Sequence, residues 1–209
     1  DGDGKMDILC GFSSLLNTST EGAFTYGPFT SFATGTIKHW LITDDFNADN
    51  KPDLAYLDSV LRKITLFKNT STAGSISFTQ VPEELFISGT FATRIISGEL
   101  NGDGKTDIAV VNSSYEAASL FANNTIADNI QFRNKTDYAG GAIPYDIRAG
   151  DLDGDGKPDL VLANSYYNEY TLSILQYKKE PVIAQLPRIV SFSPLSGPAG
   201  TTLTITGEN

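Results

Sequence analysis

The chain has 209 residues, 40% hydrophobic and 19% charged side chains, and one cysteine, Cys10. That composition is globular, long enough to bury a core, and excludes a disordered acidic tail. A formal charge of −10 repels phosphate backbones, so no nucleic-acid partner is expected, and no apolar run approaches the ~20 residues of a membrane span. A lone cysteine cannot close an internal disulfide and is expected to be buried as a small apolar residue. With His39 as the single histidine, a structural zinc site lacks its ligands. Oxygen chemistry is what remains.

Taken in chain order, the sequence repeats. It opens on Asp1-Gly2-Asp3-Gly4-Lys5-Met6-Asp7, and the same spacing returns at Asp45, Asn47, Asp49, Lys51 and Asp53. It returns again at Glu99, Asn101, Asp103, Lys105 and Asp107, and at Asp151, Asp153, Asp155, Lys157 and Asp159. The closing aspartates 7, 53, 107 and 159 are 46, 54 and 52 residues apart. Asn17, Asn69 and Asn123 keep the same rhythm, as do Phe24, Phe78 and Phe132. Each period holds about four short apolar or β-branched runs: one before the acidic loop, one after it, one ending at the asparagine, one around the phenylalanine. Four strands per period of about 50 residues predict all-β propeller blades, here about four, each a four-stranded antiparallel sheet. The first unit is short, so its second hairpin must turn tightly.

The pattern stops near residue 178. Residues 179–188 read as a linker. Residues 189–209 read as a strand, a Pro/Gly turn and an alternating strand through Leu203 and Ile205. Both ends suggest a piece of something longer.

In the fourth loop Asp151, Asp153, Asp155 and Asp159 fall at positions 1, 3, 5 and 9, with Gly156 at 6 and the Lys157 carbonyl at 7. Alternating oxygens around a tight turn wrap one hard cation, and calcium suits such flexible, carbonyl-containing sets better than magnesium. An EF-hand is excluded, because position 12 is Leu162 and a β run follows. In loop two, Asn50 replaces the turn glycine and tolerates the left-handed backbone. Loop three spends position 1 on Glu99, and loop one begins at position 3 with Asp1. Four calcium ions would bring the charge from −10 to −2. The fourth loop, with most carboxylates, is expected to contribute most.

These loops, with Tyr138-Ala139-Gly140-Gly141-Ala142-Ile143-Pro144 before the last, resemble FG-GAP repeats, also called VCBS repeats, the blades of integrin-alpha-like propellers. The tail from Pro187 to Gly207 resembles the start of an IPT/TIG immunoglobulin-like domain. The resemblance implies an extracellular or cell-surface module for adhesion, scaffolding or assembly, with further blades of the same or a neighbouring chain as partners. A surface protein or a glycan is the ligand class it implies. An enzyme is the rival reading, as part of a polysaccharide-degrading protein, but His39 has no triad context and Glu83, Glu84, Glu116 and Asp137 are scattered. No catalytic residue is expected. Trp40, Tyr115, Tyr166 and Tyr167 are aromatics that could stack on sugars. Asn17, Asn69, Asn112, Asn123 and Asn134 head sequons, three of them explained by turn chemistry alone.

Overall fold

The structure is a computed structural model that describes residues 1–32, 40–166, 169–177, 188–193 and 204–208. His39, Tyr167, the linker up to residue 187 and the turn 194–203 lie outside the described residues. The chain divides into two units, Asp1–Tyr177 and Lys178–Asn209. All regular structure among the described residues is strand. No helix there is long and apolar enough to cross a membrane.

Four antiparallel sheets fill the first unit. The first contains β1 (Ile8–Cys10), β2 (Ser13–Leu15) and β3 (Thr30–Ser31). The second is β4 (Trp40–Asp44), β5 (Asp53–Asp58), β6 (Lys63–Asn69) and β7 (Phe78–Phe86), paired in that order. The third repeats it with β8 (Ala92–Gly98), β9 (Asp107–Asn112), β10 (Ala117–Phe121) and β11 (Thr136–Ala139). The fourth pairs β12 (Pro144–Gly150), β13 (Asp159–Tyr166) and β14 (Glu169–Leu175). In the second unit β15 (Arg188–Ser193) and β16 (Thr204–Glu208) pair antiparallel. Each closing aspartate from loop two onward starts the second strand of its sheet. The tight hairpin of the first unit is the Gly11-Phe12 turn between β1 and β2, with Gly11 at φ 62°.

Sheets stack through strands whose two faces are both apolar. On β5, Leu54 and Tyr56 pack with Leu9, Phe12 and Phe32 of the first sheet, while Ala55 and Leu57 join Ile95, Ile108 and Val110 of the third. On β9 the alternation repeats: Ile108 and Val110 face the second sheet, and Ala109 and Val111 face Ile147, Leu160 and Leu162 of the fourth. A period of two puts successive side chains on opposite faces, so one strand serves two interfaces. That is why β5 and β9 read as continuous apolar runs. The stack stops at open faces: Ile8 and Cys10 are exposed on β1, as are Tyr170, Leu172 and Ile174 on β14. The exposure of Cys10 corrects the expectation that it is buried. Leu9 takes the inward position, so its neighbour must face out.

The phenylalanine marker also needs correction in the first unit. Asn69 pairs with Phe78 and Asn123 with Phe132, nine residues on, but Asn17 pairs with Tyr26. Phe24, two residues early, sits at the hairpin tip and is 93% exposed.

Leu57→Ala, emptying a site with no exposure, is expected to cost about 3 kcal/mol. Leu172→Ala, on the open face, should change stability by no more than ~0.5 kcal/mol. Urea unfolding of the two variants measures the contrast.

Candidate metal centres

Each acidic loop is organised by its last residue. Asp53 is fully buried; its Oδ2 accepts the Phe46 N–H at 3.1 Å and its Oδ1 the Asn69 N–H at 2.8 Å. Asp107 does the same with Leu100 at 3.1 Å and Asn123 at 2.8 Å. Asp159 does so with Leu152 at 3.1 Å and Tyr177 at 2.9 Å. Asp7 accepts the Asn17 N–H at 2.8 Å. Position 9 therefore ties the start of the loop to the strand end two strands away.

The turn asparagine completes the tie. Its side-chain amide donates to the position-8 carbonyl, from Asn17 to Met6, Asn69 to Pro52 and Asn123 to Thr106, each at 2.9 Å. Its Oδ1 accepts the N–H two residues on, from Ser19, Ser71 and Thr125. Those hydroxyls donate in turn to Thr25, Ser77 and Gln131 carbonyls. Hence the Asn-x-Ser/Thr pattern is the chemistry of this turn. Asn69, Asn112 and Asn123 are buried, whereas Asn134 is exposed.

Within each loop the remaining side chains brace the backbone, positions 3 and 5 with one oxygen and position 1 with both. The position-3 residue accepts the position-5 N–H in loops two to four, from Asn47, Asn101 and Asp153, and Asp1 does so in loop one. Position 5, which is Asp3, Asp49, Asp103 or Asp155, accepts the N–H of the lysine at position 7 at 2.8–2.9 Å. Position 1 reaches the turn: Asp45 accepts from Asp49 and Asn50, Asp151 from Gly154 and Gly156. Glu99, for all its length, accepts from Asn101, Gly102 and Gly104. Position 6 is left-handed in every copy, at Gly4, Asn50, Gly104 and Gly156, as the asparagine substitution allowed. The lysine ammonium groups turn away from the carboxylates: Lys51 donates to the Ser71 carbonyl at 2.8 Å and Lys105 to Thr125 at 2.9 Å, while Lys157 lies over the Tyr177 ring.

Two groups of carboxylates converge. Oxygens of Glu99, Asp103 and Asp107 lie within 4.8 Å of one another, and so do those of Asp151, Asp153 and Asp159. Among the described residues no lysine or arginine pairs with either triad. The donors are hard oxygens, uncompensated by protein cations, and fit a divalent ion. Asp155 stands outside the triad of the fourth loop, and the aspartates of loop two form no triad.

The electrostatics agree with an unmet need for positive charge. Burial pushes Asp53 from 3.8 up to about 6 against the pull of the Asn69 and Phe46 N–H groups, and Asp49 and Asp45 push it further. Burial likewise raises Asp107 to about 6, opposed by Asn123 and Leu100 and reinforced by Asp103 and Glu99. Burial also pushes Glu99 up, but the backbone N–H groups of Asn101, Gly104, Gly102 and Asp103 outweigh it and hold it low.

One repeated polar position escaped the sequence reading. Five residues after the closing aspartate stand Asp58, Asn112 and Asn164, each bracing the opposite end of its sheet. Asp58 accepts the N–H groups of Val60 and Leu61, Asn112 that of Ser114, and Asn164 that of Gly141. The constant offset was the available signal. The scattered acids are partly engaged: Glu84 pairs with Lys63, and Asp137 with Lys135 and Ser119.

Sheets of up to four antiparallel strands, each with an acidic loop, which in the second to fourth lies between the first two strands, define a repeat protein of propeller-blade type. Residues 45–110 and 99–162 match the FG-GAP-like repeat, and together they span more than half of the 209 residues. The chain belongs to the FG-GAP-like repeat family. No curated protein and no solved structure matches it.

Two outcomes follow from the loops. Asp53 and Asp107 titrate higher folded than unfolded, so their contribution is fully present below 3.8 and is lost as pH rises through about 6. Glu99 and Asp137 are held low, so theirs is present above the ordinary carboxylate range and lost only at more acid pH. The chelator-treated protein should therefore gain stability from about pH 7.5 to about 5.5, read as a rising Tm. Ala48, at φ 60° where the other loops place Gly2, Gly102 and Gly154, is strained. Ala48→Gly should stabilise by about 0.5–1 kcal/mol in urea unfolding.

Proposed function

We propose that this chain is a calcium-binding, non-enzymatic blade array that works outside the cell as an adhesion, scaffolding or surface-assembly module. The observation that carries the reading is the pair of converging carboxylate triads without a protein counter-cation. Glu99, Asp103 and Asp107 would hold one ion, and Asp151, Asp153 and Asp159 another. Bound calcium would supply the positive charge that the buried closing aspartates lack. Loops one and two, with Asp1, Asp3, Asp7, Asp45, Asn47, Asp49 and Asp53, are further calcium sites in this reading. Oxygen sites of the extracellular kind have Kd about 10⁻⁴–10⁻³ M and fill where calcium is plentiful, which supports the location. Further blades, of this or a neighbouring chain, would cover the apolar faces at Ile8 and at Tyr170, Leu172 and Ile174. The start of an IPT/TIG domain after residue 188 is part of the proposal, supported by the β15–β16 hairpin; the repeat match ends at residue 162.

A second reading, a glycan-binding propeller or the non-catalytic part of a polysaccharide-degrading enzyme, is favoured by the exposed aromatics. Trp40, Phe91, Tyr115, Tyr138 and Tyr145 are all exposed at the sheet end away from the acidic loops. Outside the loops, Glu84, Asp128, Asp137 and Asp146 are each tied to a lysine or arginine.

Thermal unfolding with calcium and with chelator tests the calcium reading. At about 1 mM calcium and a Kd near 0.1 mM each site adds roughly 1.4 kcal/mol. Asp103→Asn and Asp153→Asn, which leave the buried ties intact, should each remove about one site's share. A Tm indifferent to chelator overturns the reading.

A further inference from the structure

The first strands of the second, third and fourth sheets touch in order, β4 to β8 to β12. Trp40, Arg94 and Asp146 sit at the same repeat position on them, five residues before Asp45, Glu99 and Asp151. They form one rung. The Arg94 guanidinium lies 4.4 Å over the Trp40 ring, and its Nε forms an ion pair with Asp146 Oδ1 at 3.3 Å. Arg148 Nη1 donates to that same oxygen at 2.7 Å.

The charge on this rung does not balance. Lys63 with Glu84, Lys68 with Asp128 and Lys135 with Asp137 are one-to-one pairs. At Asp146 alone, among the described residues, two side-chain cations share one carboxylate. The result is a local excess of one positive charge on a chain of net −10. At ~3.3 Å per residue the rung is ~17 Å from the acidic loops, about two Debye lengths at physiological salt; Arg148 starts ~10 Å from Asp151 but turns its guanidinium back to Asp146, away from the loop. Arg148 is 59% exposed at its side chain; Trp40, under Arg94, is 42% exposed, and Tyr145, next to Asp146 in the chain, is 48% exposed.

Guanidinium forks match a planar carboxylate, and half-exposed aromatic faces accept the apolar face of a ring. We propose that Arg94 and Arg148, flanked by Trp40 and Tyr145, form a binding site for a glycan that carries uronic acids. One face of Trp40 carries Arg94; an acidic peptide would use the charge but not the exposed part of that ring or of Tyr145. The proposal rests on the reading of the chain as an extracellular recognition module.

The test is calorimetric titration of the calcium-loaded protein with oligogalacturonate, with the corresponding neutral galacto-oligosaccharide, and with polyglutamate. Oligogalacturonate should bind saturably and weaken with salt, and the other two should bind at least about tenfold less well. Arg148→Gln, an exposed change, should lower oligogalacturonate affinity about tenfold, with Arg148→Lys in between and both variants keeping the parent Tm. Equal binding of polyglutamate or of the neutral sugar overturns the proposal. So does binding that Arg148→Gln leaves unchanged, which assigns the sugar to calcium in the loops. Absence of binding by a protein whose Tm still responds to calcium overturns the site and leaves the module reading standing.

Discussion

A carboxylate buried between two backbone segments holds each repeat together. Asp53, Asp107 and Asp159 each spend one oxygen on the second residue of their own loop and the other on a residue at or just past the end of the strand that pairs next to their own. Two acceptor oxygens on a short arm meet this demand. An amide would turn a donor toward an N–H. The arrangement satisfies two buried donors but leaves a negative charge out of water, which is costly unless something neutralises it. A proton can do so, as the raised titration of Asp53 and Asp107 indicates. A divalent cation among the same oxygens would do it at neutral pH. Folding and ion binding are then one electrostatic problem.

The sheets supply the low-dielectric surroundings that make this charge matter. Because β5 and β9 present apolar side chains on both faces, the start of each strand, where the closing aspartate sits, is dry on both sides. Asn123 strengthens the coupling between neighbours: besides Thr106 of its own loop it donates to the Phe46 carbonyl of loop two at 2.9 Å. Phe46 itself packs edge-on against Phe132 of the third sheet. The backbone of one acidic loop is thus fixed partly by the next repeat. An isolated repeat would lose that support.

What was legible in the sequence is what local covalent spacing controls. The acidic positions 1, 3, 5 and 9, the left-handed position 6 and the strands on either side follow from a loop that closes on itself within nine residues. The hairpins were legible for the same reason. What depends on neighbours across the sheet was not. Tyr26, rather than Phe24, is the partner of Asn17, because bridge register decides it. Tyr177 stands where an asparagine stands elsewhere, because Asp159 needs only its backbone N–H. Cys10 is exposed because the inward place on a three-residue strand belongs to Leu9. The rung of Trp40, Arg94 and Asp146 joins residues 54 and 52 apart, and only the stacking of sheets brings them together.

The copies within this one chain separate two kinds of position. Where the backbone requires a particular acceptor, the residue type holds: aspartate at position 9 in all four loops and asparagine at three of the corresponding turns. Where the ring of donors is looser, it drifts, as with Asp45, Glu99 and Asp151 at position 1, each of which still reaches the turn N–H groups. Five residues upstream nothing in the loop constrains the side chain, and there the three sheets carry a tryptophan, an arginine and an aspartate. A scaffold can differ from copy to copy only where its own hydrogen bonds do not depend on the side chain. Individual ligand recognition belongs at such positions, at the end of the sheets where the acidic loops do not set the chemistry.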